Sequence, residues 1–232
     1  MIKAVLFDLD GTLLPMDQDE FIKAYFGALV KKLTPFGYDS SLVGAIWKGT
    51  EAMIKNDGSR TNEERWWETF CSIYGDKARD DEAHLDNFYQ NEFELVRQSC
   101  GFTPDARKII DLCHERGFRV ILATNPIFPR VATRARIRWA GLDFEDFELV
   151  TTYENSTHCK PNPKYYTEIL EKTSLDASEC LMVGNDARED GVARTLGMNV
   201  FLLTPCLINK DGVDISSFPH GTTEDLIRYI GG

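Results

Sequence analysis

Two aspartates, Asp8 and Asp10, stand where the apolar run Ala4, Val5, Leu6 and Phe7 ends, and Gly11 and Thr12 follow them. Two further apolar runs stop in the same manner. Residues 118–123 end at Thr124 and Asn125, and residues 180–183 end at Gly184, Asn185 and Asp186. A fourth polar point, Lys160 with Pro161, follows the run 147–151. A carboxylate can attack phosphorus and form an aspartyl-phosphate. An anion attacking a phosphate needs positive charge close by. Mg²⁺ supplies it and prefers oxygen ligands and water, and Asp8 and Asp186 are candidate ligands. Lys160 adds a fixed cation, and Thr124 and Asn125 offer neutral donors to phosphoryl oxygens. Alone, each residue has a plainer reading: Thr124 ends a strand, Lys160 is solvated, Asp186 caps a helix. Together they fit one reaction class.

For these residues to meet, the runs that carry them must be parallel strands of one sheet, whose carboxyl ends share an edge where ligands bind. The segments between them read as helices. Thr103 and Pro104 open one that Gly117 ends, 130–138 starts another, and 163–170, 187–196 and 222–230 follow, with 199–203 as a last strand. Strand alternating with helix is the order of a parallel sheet covered on both faces.

One stretch breaks that order. Residues 16–100 carry aromatics at helical intervals and no alternating strand. Phe21, Tyr25, Ala28 and Leu29 mark one helix. Val43, Ile46, Trp47 and Ile54 mark a second. Trp66, Trp67, Phe70, Ile73 and Tyr74 mark a third, opened by Thr61 and Glu64 at capping-box spacing. Leu85, Phe88, Tyr89, Phe93, Leu95 and Val96 mark a fourth. These stripes read as the core of a helical bundle rather than as a ligand box.

The four motifs together resemble the haloacid dehalogenase-like (HAD) hydrolases, in the form used by phosphatases and phosphomutases. DLDGT resembles the first motif, which implies Asp8 as nucleophile, with Asp10 as general acid/base and its backbone carbonyl as a metal ligand. Thr124 in ATNP is similar to the second, phosphoryl-binding motif, and Lys160 in CKPNP to the third. GNDARED resembles the fourth, acidic metal motif. Asp186 and Asp190 are four apart there, whereas Asn185 and Asp190 are five apart with Asn in place of Asp. The charge of Asp186 favours it as the metal ligand, with Asp190 acting through water or holding Lys160. The resemblance implies a Rossmann-like α/β fold, strand order 5-4-1-2-3, with residues 1–14 and 101–232 as core and 15–100 as an inserted α-helical cap. It further implies a Mg²⁺-dependent phosphatase acting on a small phosphorylated metabolite. A sugar phosphomutase is the nearest alternative. A signalling receiver domain and an inactive partner-binding protein on this fold are the alternatives outside the enzyme class. Asp10 argues against the dehalogenases, which lack that second acid, and against the transporting ATPases, which carry Thr there.

Composition bounds the partners. With 232 residues and 43% hydrophobic, the chain can bury a large core. A net charge of −11 argues against a nucleic-acid grip. No apolar run reaches membrane-spanning length, and no basic-then-apolar leader precedes the first strand, so a cytoplasmic protein with no membrane partner is expected. The cysteines and histidines show no zinc spacing, and nothing in the sequence bears on oligomeric state.

Overall fold

The computed structural model describes residues 1–231. Its centre is a six-stranded parallel sheet: β1 (Ala4–Phe7), β2 (Arg119–Leu122), β3 (Leu149–Val150), β4 (Cys180–Gly184), β5 (Asn199–Leu203) and β6 (His220–Gly221). The order is β3-β2-β1-β4-β5-β6. The five expected strands therefore run as anticipated, and a sixth, two-residue strand extends the edge beyond β5. Two residues after Pro219 carry no periodic signal, which is why the sequence does not reveal it.

Alternation along the strands divides the core into two layers. Val5, Phe7, Val120, Leu122, Leu181 and Val183 face one side, where they meet helices α5 (Asp105–Glu115), α6 (Arg130–Trp139) and α8 (Thr223–Gly231). Ala4, Leu6, Ile121 and Met182 face the other, against α7 (Pro163–Thr173). Phe7 pairs with Leu122 on one neighbour and Val183 on the other. This register brings the ends of the three central strands level, so the residues that follow them converge.

Between β1 and α5 lie four helices: α1 (Gln18–Leu33), α2 (Leu42–Ile54), α3 (Asn62–Tyr74) and α4 (Glu82–Gln90). Helix α3 opens with both halves of the capping box, Thr61 Oγ1 accepting from Glu64 N and Glu64 Oε2 from Thr61 N. The two connections to this helical stretch run side by side: Gly101 N donates to Pro15 O at 2.7 Å, and Met16 bridges Cys100. No helix among the described residues is long and apolar enough to cross a membrane.

Two expected helices take another form. The fourth helical stripe is broken at Asn91, whose side chain caps back onto the Asn87 carbonyl; α4 ends there, and Glu92–Ser99 continues as a 3₁₀ run. That turn buries Phe93 and Val96 but leaves Leu95 exposed. Residues 187–196 also fail to form an α-helix. Asp186, just ahead of them, accepts from Arg188 N and Glu189 N, Asp190 accepts from Asp186 N, and only Gly191–Leu196 coils, as 3₁₀.

Phe93 joins the helical stretch to the α/β part, its ring 4.9 Å from that of Trp139 in α6. We expect Phe93→Ala to cost about 3–5 kcal/mol and Leu95→Ala less than about 0.5 kcal/mol in urea unfolding. Equal costs would contradict the break at Asn91.

Candidate active site

The site begins where β1 turns. Leu9, Leu13 and Leu14 are buried and anchor the loop, and the Leu9 carbonyl accepts from both Thr12 N and Leu14 N. Gly11 adopts φ +86°, and a Cβ there would fall 2.3 Å from Asn185 Nδ2. Glycine is therefore what lets this loop touch the end of β4. The Thr12 hydroxyl lies 3.3 Å from Asp8 Oδ2 and 3.0 Å from Asn185 Oδ1, with one proton to share between them. Asn185 Nδ2 in turn donates to the Cys206 carbonyl at 2.7 Å.

Lys160 is 1% exposed, and its Nζ sits 2.8 Å from Asp8 Oδ1 and 2.7 Å from Asp190 Oδ1. Burial works against the ammonium, but the Asp190 and Asp8 carboxylates outweigh it and hold Lys160 well above the usual lysine value. Burial pushes the Asp8 carboxyl up to about 7, against the pull of Lys160 and with Asp190 and Asp10 adding to the rise. Asp190 Oδ2 also accepts from Asp186 N at 2.9 Å. A Cβ on Gly184 would lie 2.0 Å from that same oxygen. Asp186 Oδ1 accepts from Arg188 N and Glu189 N, both at 2.8 Å.

Thr124 is buried at the end of β2, its carbonyl accepting from Thr151 Oγ1 and Tyr165 OH. Asn125 Oδ1 accepts from Lys160 N at 3.2 Å, and its Nδ2 donates to Glu189 Oε2 at 3.2 Å. All eight residues singled out in the sequence thus lie at one sheet edge: Asp8, Asp10, Thr124, Asn125, Lys160, Asn185, Asp186 and Asp190.

Three neighbours were not anticipated. Thr12 stands in the DLDGT motif with no role of its own expected there. Glu189 is pushed up to about 7 by burial, against Lys160 and with Asp190. Arg136 of α6, 1% exposed, is bonded through Nη1 to Asp10 Oδ2. Its guanidinium also lies over the Phe128 ring, 4.4 Å from the centroid. Asp10 Oδ1 is buried without a hydrogen-bond partner among the described residues. A signal for Arg136 existed: it occupies the buried stripe of α6, with Ala132, Thr133 and Trp139, where a charge demands a partner.

A cavity of about 320 Å³ opens over the acids. Its floor includes Asp8, Asp10, Thr124, Asn125 and Asp186, and its walls come from α1–α4 and residues 127–129. The aromatic stripes are thus not only bundle core: Phe21, Tyr25, Trp47, Trp66 and Tyr89 line this space. Among the described residues no three acidic, His or Cys side chains converge closely enough to hold a metal by themselves.

The haloacid dehalogenase-like hydrolase family model matches residues 2–194. A ribulose-1,5-bisphosphate 5-phosphatase of Halopiger xanaduensis is 27% identical, over 88% of this chain and 86% of its own length. A phosphoglycolate phosphatase of Aliivibrio fischeri is 24% identical, over 99% and 95%. Among solved structures, a HAD phosphatase from Thermococcus onnurineus superposes with a TM-score of 0.58 at 21% identity, covering 100% of this chain and 99% of that one.

The Arg136–Asp10 pair is open to a double-mutant cycle. Arg136→Met strands a mostly buried carboxylate and should cost about 3 kcal/mol in urea unfolding. Combined with Asp10→Asn, the loss should fall short of the sum by at least about 1 kcal/mol. Strict additivity would show that the two side chains are not coupled.

Proposed function

The chain belongs to the haloacid dehalogenase-like hydrolases, and we propose that it is a Mg²⁺-dependent phosphatase acting on a small phosphorylated metabolite through a phosphorylated Asp8. The relatives named above are phosphatases, which supports the coarser part of this reading. The finer part rests on one observation: Asp8 is backed by Lys160, while Asp10 is held through Oδ2 by Arg136 and keeps Oδ1 unpartnered.

In this reading an Asp8 oxygen attacks phosphorus and the bond from phosphorus to the ester oxygen breaks. Asp10 gives that oxygen its proton. Water then attacks phosphorus, Asp10 takes the proton the water loses, and the Asp8 carboxylate is released with free phosphate. Thr124, Asn125 and Lys160 meet the phosphoryl oxygens. Asn125 Nδ2 exchanges Glu189 for the phosphoryl group. Asn185 and Asp190 are supporting groups, the first orienting Thr12 and the second fixing the ammonium of Lys160.

The residues fit a hard divalent cation. The Asp8 and Asp186 carboxylates line one cavity, and with the Asp10 main-chain carbonyl they form an all-oxygen set that water can complete. Five carboxylates, Asp8, Asp10, Asp186, Glu189 and Asp190, surround two cations, Lys160 and Arg136, so the site carries an excess of negative charge. Bound there, Mg²⁺ would offset the charge of the phosphoryl group as Asp8 approaches it.

We assign residues 15–100 to a cap over a core of 1–14 and 101–232. The paired connections at Pro15–Gly101 and Met16–Cys100 support two adjacent hinge strands. A cap that closes there would exclude water before chemistry.

Two measurements test this reading. Exhaustive chelation should abolish ester hydrolysis, Mg²⁺ should restore it and Ca²⁺ should restore it poorly; full activity after chelation would remove the metal from the scheme. Asp8→Asn should form no phosphoenzyme. Asp10→Asn should lower turnover of an alkyl ester by about 10²- to 10⁴-fold. With a nitrophenyl ester, which needs little protonation, rapid quench of Asp10→Asn should trap accumulated phosphoenzyme. Normal turnover by Asp10→Asn would refute its role.

A further inference from the structure

The cavity has two ends of different chemistry. Around Asp8 it is polar. Beyond that, its wall is made of rings and aliphatic chains, among them Phe21 and Tyr25 of α1, Ile46 and Trp47 of α2, Trp66 of α3 and Phe128. None of its lining residues is Lys, Arg or His. The two cations nearby are already committed: Lys160 to Asp8 and Asp190, Arg136 to Asp10, each only 1% exposed. Where the far wall is charged, it is acidic, through Glu82 and Asp86 of α4. The indole N–H of Trp67, also in the wall, is buried with no partner among the described residues.

We propose that this chamber selects phosphate monoesters of a neutral, apolar, ring-bearing alcohol and rejects esters that carry a second anionic group. The inference rests on the phosphatase reading and narrows it. An anion moved from water into such a chamber loses hydration and finds no counter-charge, and Glu82 and Asp86 add repulsion. A ring loses little hydration there and gains aromatic contact. At about 320 Å³ the space lies at the small end of ligand cavities, which run roughly 300–1,000 Å³. It suits one ring and its phosphate.

The test compares kcat/KM of the Mg²⁺-loaded enzyme for benzyl phosphate, 4-carboxybenzyl phosphate and phosphoglycolate, with acetyl phosphate as a substrate whose leaving group barely enters the chamber. Benzyl phosphate should exceed both carboxylated esters by about 100-fold or more, the range reached when a site leaves a buried polar group unpaired. Trp47→Arg places a cation on the wall from a side chain that is 47% exposed and free of the reacting groups. It should shift the ratio of the two benzyl esters toward the carboxylated one by at least about tenfold. Equal rates for the two benzyl esters, preference for phosphoglycolate, or a ratio unmoved by Trp47→Arg would each overturn the inference while acetyl phosphate is still hydrolysed. Failure to hydrolyse any of the four would overturn the phosphatase reading, and this inference with it.

Discussion

One buried ammonium, that of Lys160, lies between two carboxylates that would otherwise repel, Asp8 after β1 and Asp190 after β4. Two like charges so close in a poorly solvated space need a cation between them. Much of the local backbone follows from that need. Asp190 must reach back toward the sheet, so β4 ends in Gly184, where a side chain would collide with it. The same carboxylate takes the Asp186 N–H, and Asp186 caps the next two free N–H groups. Lys160 is held from behind as well, its backbone N–H bonded to Asn125 at the end of β2. Ends of three strands are thus tied to one residue.

This dependence explains what the sequence could and could not reveal. The strands were legible because burial on both faces leaves a continuous apolar run, and the site residues because each run stops at a polar group. Three of the stops lie on one edge through parallel register, and Lys160 is carried there by the loop that follows β3. The segment 187–196 is helical by composition, but its Asp190 side chain is drawn to Lys160 and to the Asp186 N–H, a long-range tie that no propensity records. The break at Asn91 is likewise a local side-chain bond overriding a stripe. Arg136 was hidden for a different reason. It sits among several arginines, and only its place on the Ala132–Trp139 face distinguishes it from Arg134 and Arg138, which face outward.

The aromatic helices posed the opposite problem, a correct pattern with an incomplete meaning. A helix in this stretch has apolar residues on more than one face. Phe70, Phe88 and Phe93 are buried fully and hold the helices together. Tyr25 does both, packing against Phe88 and Phe93 while lining the cavity. Periodicity reports that a face is apolar; it does not report whether protein or ligand covers it.

Those rings also connect the cavity to the acid beside it. Phe93 packs on Trp139, and Glu94 accepts from the Trp139 indole at 2.9 Å. Trp139 lies one turn from Arg136 on α6, and Arg136 holds Asp10. Phe128 closes the circuit, stacking under Arg136 while touching Phe21 and Tyr25 edge-on. The helix that carries the guanidinium is therefore clamped by the same aromatic cluster that walls the chamber. In a chain with a net charge of −11, positive charge near the reacting end is confined to two buried side chains, each locked in an ion pair. Beyond that end the cavity wall is of rings and aliphatic chains, with acids as its only charged groups.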